Sequence, residues 1–100
     1  MSDKYILQGQ TPVPCDDLLA WGRWMQTANR HVAKDDLGDG VRVSTVFLGL
    51  DHRFDDEGLP VLFETMIFGG PHDQYQDRYT TWEDAVAGHA KALALTQVSA

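Results

Sequence analysis

Residues 41–70 constrain this chain more than any other stretch. Two runs rich in β-branched and aromatic residues, VRVSTVFLGL (41–50) and VLFETMIFGG (61–70), flank the polar, glycine-bearing connection DHRFDDEGLP (51–60). Such side chains fit a pleated, half-buried surface, and a polar insert between two such runs reads as a β-hairpin with a longer loop. The expected hairpin spans residues 41–69 and closes near residues 56–58. In its first strand Val41, Val43, Thr45 and Phe47 share one face, while Val46, Leu48 and Leu50 share the other. Apolar residues on both faces predict a central strand, or a bulge near Ser44 and Thr45 that switches the pattern. Gly49 has no side chain to pack, so another element is expected to cross close to it. In the return strand Glu64 is a carboxylate among strongly apolar neighbours, and the GGP of residues 69–71 stops the strand.

The remaining segments arrange themselves around this hairpin. Tyr5, Ile6 and Leu7 form a short strand, and Pro12 and Pro14 place any strand there at a sheet edge, because proline donates nothing to a ladder. Asp16 and Asp17 supply a cap and negative charge for a helix start. Leu18, Trp21, Met25, Ala28 and Val32 then follow one helical stripe, which predicts a helix over residues 16–34. Gly22 weakens it, and a close neighbour would account for the glycine. Residues 35–40 (DDLGDG) are expected to be a turn that ends this helix, and residues 72–79 a polar loop. Thr80 and Glu83 fit a capping box ahead of a second helix at about 81–96, whose stripe is Trp82, Val86, His89 and Leu93. The fold class is therefore α+β: a small antiparallel sheet made of the central hairpin, with room for a short N-terminal edge strand, and two helices packed on one face. One hundred residues form a single domain, 1–100.

Composition limits the functions such a domain can have. No apolar run approaches the roughly 20 residues that span a bilayer, and the first residues lack the basic and apolar regions of a secretory signal. A cytoplasmic, membrane-free protein is expected. Cys15 is the one cysteine, so neither an intramolecular disulfide nor a thiolate metal cluster can form. The net charge of −7 repels phosphate backbones, so direct nucleic-acid binding is not expected. The same acidity leaves two other roles open, engagement of a basic partner and mimicry of a nucleic-acid backbone.

No glycine-rich phosphate loop, paired-histidine zinc motif or serine nucleophile elbow is present. His31, His52, His72 and His89 share no metal-ligand spacing, so no metal or cofactor is expected, and His89 reads as a helix-packing residue. The candidate constellation is Asp51 and His52 at the end of one strand with Glu64 in the next. Histidine and carboxylate on one face could serve acid–base work or ligand capture. The structural alternative has Glu64 satisfied by backbone amides, Arg42 or a tryptophan N–H, since a buried carboxylate needs a partner in either case. Trp24 and Tyr79 lie off the main apolar stripes and are candidates to line a ligand pocket, with Arg53 and Arg78 placed to answer a phosphate.

Residues 45–54 (TVFLGLDHRF), 62–70 (LFETMIFGG) and 78–89 (RYTTWEDAVAGH), with CDDL at 15–18, resemble a group of small uncharacterised proteins encoded by bacteriophages and prophages. The resemblance implies a phage origin and a host-cytoplasmic setting, and no reaction. The expected function is a non-enzymatic phage accessory protein that binds a host protein or a small nucleotide-like ligand. The alternatives are a small enzyme using His52 and Glu64, an acidic DNA mimic, or a virion component. A hairpin apolar on both faces could also pair across a homodimer axis.

Overall fold

The computed structural model describes residues 3–53 and 58–97. In chain order its elements are β1 (Tyr5–Gln8), β2 (Thr11–Pro14), α1 (Leu18–Thr27), β3 (His31–Gly38), β4 (Val41–Phe47), β5 (Phe63–Phe68), β6 (Gln76–Tyr79) and α2 (Trp82–Gln97). The chain is an α+β fold, with a two-stranded sheet β1-β2 and a four-stranded antiparallel sheet β3-β4-β5-β6.

The expected hairpin forms its centre: β4 and β5 pair from Arg42 opposite Phe68 to Phe47 opposite Phe63. The loop closure expected near residues 56–58 falls largely on 54–57, outside the described residues. Val43, Thr45 and Phe47 of β4 and Phe63, Thr65 and Ile67 of β5 are buried beneath α2. Small residues on α2, Ala85, Gly88 and Ala92, are buried there and let the helix lie close to the strands. Phe47 also meets Trp24 of α1 edge-on, with ring centroids 5.6 Å apart, so both helices contribute to the same side. Gly49 is crossed as expected. A Cβ built there would lie 2.5 Å from Met25 Sδ, and Trp21 Nε1 donates to the Gly49 carbonyl at 3.1 Å.

Several expectations are corrected. The first helix covers residues 18–27 rather than 16–34, because Ala28 adopts extended geometry and the Asn29 side chain accepts from His31 N–H at 3.1 Å, turning the chain into β3. Residues 35–38 are therefore strand, and the turn is Asp39-Gly40, both with positive φ (52° and 77°), as a two-residue hairpin loop requires. Residues 76–79 are the edge strand β6 rather than loop. Thr81, not Thr80, caps α2, its Oγ1 accepting from Asp84 N–H at 3.0 Å. The N-terminal strand does form, but in its own ribbon with β2, tied to the chain beyond β4 by Tyr5 N–H donating to the Gly49 carbonyl at 2.8 Å. Gly22 has no neighbour within 4 Å of a built Cβ, so no close approach explains it.

Candidate functional site

The expected site residues meet in two pairs, Glu64 with Arg78 and Asp51 with Arg53, and not as one site. Glu64 stands on the face of the sheet opposite α2, and its Oε2 accepts from Gln76 Nε2 at 2.5 Å and from Arg78 Nε at 2.9 Å. Its partners are thus on β6, and none of the backbone amides, Arg42 or tryptophan weighed from sequence. His52 is exposed and bonds through its backbone N–H to the Val61 carbonyl, and no hydrogen bond joins it to Glu64.

Asp51 acts as a clip on the loop. Its Oδ1 accepts from the N–H groups of Arg53 (2.9 Å) and Val61 (3.0 Å), and its Oδ2 pairs with Arg53 Nε at 2.6 Å. Arg53 also donates to the Gly58 carbonyl at 2.9 Å. Burial raises the Asp51 pKa, but these donors together outweigh it and hold the carboxyl below its ordinary 3.8.

Trp24 and Tyr79 are packing residues. Tyr79 lies against Gly88 with its hydroxyl buried and unbonded, and burial raises its pKa while the neighbouring Thr65 hydroxyl works against the rise. Two clefts, of about 80 and about 220 Å³, are lined by none of the seven expected residues.

Sequence reasoning missed two features. The first is a polar array between the sheet and α2. His89 Nε2 lies 2.7 Å from Asp35 Oδ2, His89 Nδ1 lies 2.7 Å from Thr45 Oγ1, and Thr45 Oγ1 lies 2.5 Å from Thr65 Oγ1. Carboxylate, imidazole and hydroxyl stand in the order used to activate a nucleophile. Yet Thr45 is fully buried and His89 only 4% exposed, so no substrate carbonyl can reach the hydroxyl. The array is a structural tie across β3, β4, β5 and α2.

The second is the face of the sheet turned away from both helices, over which no described element lies. Strand register places Lys34, Ser44, Met66 and Gln76 in one row, Arg42 beside Phe68 at one end, and Val46, Glu64 and Arg78 at the other. The Arg42 guanidinium sits 4.8 Å from the Phe68 ring centroid, and Phe68 is 36% exposed. With Asp36, this face carries three cations and two carboxylates, a formal +1 in a chain of −7, leaving −8 for the remainder. Lys34 and Arg42 form no ion pair with any described residue. The alternation of β4 and β5 was the available signal, but it needed β3 and β6 to become a surface.

Comparison with known proteins finds no matching family model, no matching curated protein and no matching solved structure. Among the described residues no group of three or more His, Cys, Asp or Glu side chains could hold a metal ion, and no helix is long and apolar enough to cross a membrane.

Proposed function

We propose that this chain is a non-enzymatic binding protein that docks a host protein through the uncovered face of its four-stranded sheet, and that the docked segment is acidic. The observation that carries this reading is the charge asymmetry. An acidic segment is attracted to Lys34 and Arg42 and repelled by the rest of the molecule, which orients the encounter. Phe68, stacked under Arg42, and Met66 supply desolvated contact area, and aromatic and arginine side chains are the usual anchors of such contacts.

Size argues for a short segment. Four strands about 4.8 Å apart and about six residues long cover roughly 400 Å², near half of the ~800 Å² each partner contributes to a standard interface. A second copy would bring a like-charged face of the same small area, so the reading commits to another protein. The resemblance to phage and prophage proteins makes a host protein the natural source. An acid–base enzyme built on His52 and Glu64 draws no support from a Glu64 carboxylate bonded to Gln76 and Arg78 and a His52 joined to Val61 through its backbone N–H.

The test is cross-linked capture from a bacterial host lysate with the native chain, the double variant Arg42→Glu/Phe68→Ser, and Lys91→Glu on the exposed side of α2. A partner that binds the native chain and Lys91→Glu but not the face variant is expected. Retention by the face variant, or no retained partner at all, would overturn the proposal.

A further inference from the structure

The geometry of the buried polar array dictates which way its hydrogens run. An ionised Asp35 can only accept, so His89 Nε2–H donates to it. In a neutral imidazole Nδ1 is then the acceptor, and Thr45 must donate to it. With its proton committed, Thr45 accepts from the Thr65 hydroxyl. Every hydrogen in the chain points toward the half-exposed carboxylate of Asp35.

A second proton on His89, drawn from solvent, turns Nδ1 into a donor. Thr45 must then accept from Nδ1 and pass its own hydrogen to Thr65, and Thr65 has a hydrogen to place. Strand register sets Tyr79, opposite Phe63, diagonally next to Thr65 on the same face, and its Oη is buried without a hydrogen bond. We propose that Asp35, His89, Thr45 and Thr65 form a reversible relay whose direction is set by the charge on His89, with Tyr79 Oη as its terminal acceptor in the charged state. His89 meets Asp35 from β3 and Thr45 from β4; Thr65 of β5 follows through Thr45, and Asp77 and Tyr79 of β6 stand on the same face of the sheet beyond it. In the charged state the Asp35 contact becomes an ion pair, which tightens the hold of α2 on the edge strand β3. The relay is independent of the docking face, although β3 borders both.

Long-range ¹H–¹⁵N NMR of the imidazole reads the relay directly. In alkaline buffer the His89 proton is expected on Nε2, and a proton on Nδ1 would sink the proposal whatever any variant does. Tyr79→Phe removes the terminal acceptor, so the change that the Thr65 side-chain resonances show between alkaline and acid buffer in the native chain should be lost. Thr65→Val, which removes the last hydroxyl, serves as the second variant and should weaken the matching change at the Thr45 resonances. Thr65 and Thr45 responses retained in the two folded variants would mean that the chain does not reverse.

Discussion

At Gly88 the packing leaves least latitude. The helix passes so close to β6 that a Cβ there would lie 2.1 Å from the ring and hydroxyl of Tyr79. Alanine is the better helix former by about 1 kcal/mol, yet overpacking a filled core costs about 1–3 kcal/mol. Overlap therefore decides the sign, and Gly88→Ala should lower the urea midpoint. Gly22 is the internal control. It too sits in a helix, but its built Cβ meets nothing within 4 Å. There the propensity term acts alone, and Gly22→Ala should stabilise by up to about 1 kcal/mol. Equal effects at the two sites would contradict the placement of α2 against Tyr79. The Glu64–Arg78 pair is a weaker target, because the arginine is 42% exposed and such pairs contribute about 1 kcal/mol or less.

At the scale of elements, the β3–β4 hairpin depends on its turn. Asp39 sits at φ 52° and Gly40 at 77°, a conformation that aspartate and asparagine tolerate and β-branched residues resist. Asp39→Val should cost about 1–2 kcal/mol, while Asp39→Asn should be close to neutral, both read by chemical denaturation. This turn also shows what was legible in the sequence. An Asp-Gly dipeptide ahead of an alternating strand is a strong hairpin signal, but Val32 happened to fall in phase with the α1 stripe and the acids at 35 and 36 masked a strand. β4 and β5 were readable from their alternation and α2 from its period and cap, although α2 buries Ala85, Gly88, His89 and Ala92 while Val86 of its expected stripe is exposed. β6 was not, since a short edge strand carrying Gln76, Asp77 and Arg78 has little to bury. The site suffered accordingly. Without β6 the partners of Glu64 could not be named, and the buried array joins residues up to 54 positions apart, a separation with no local pattern.

The whole molecule should lose stability at both ends of the pH scale for separable reasons. Asp51 is held below its ordinary 3.8 in the fold, the donors from Arg53 and Val61 overcoming burial. A depressed carboxyl contributes stability that is full above its unfolded pKa and is lost as pH falls through the folded value. Asp51→Asn has no such ionisation, so its acid limb should be flatter than that of the native chain. Its stability at neutral pH should also be lower, by about 1–3 kcal/mol, as the ion pair goes and the loop donors weaken. Tyr79 is the opposite case. Burial raises its pKa above 10.0, so its contribution is full below that value and disappears as pH rises through the folded one. Tyr79→Phe should flatten the alkaline limb and cost little at neutral pH, because the hydroxyl it removes is buried without a partner. Urea midpoints of the native chain and both variants across the pH range separate the two effects. An alkaline limb unchanged in Tyr79→Phe would place the alkaline loss elsewhere than at Tyr79, and not on the carboxylates, which are already ionised at neutral pH.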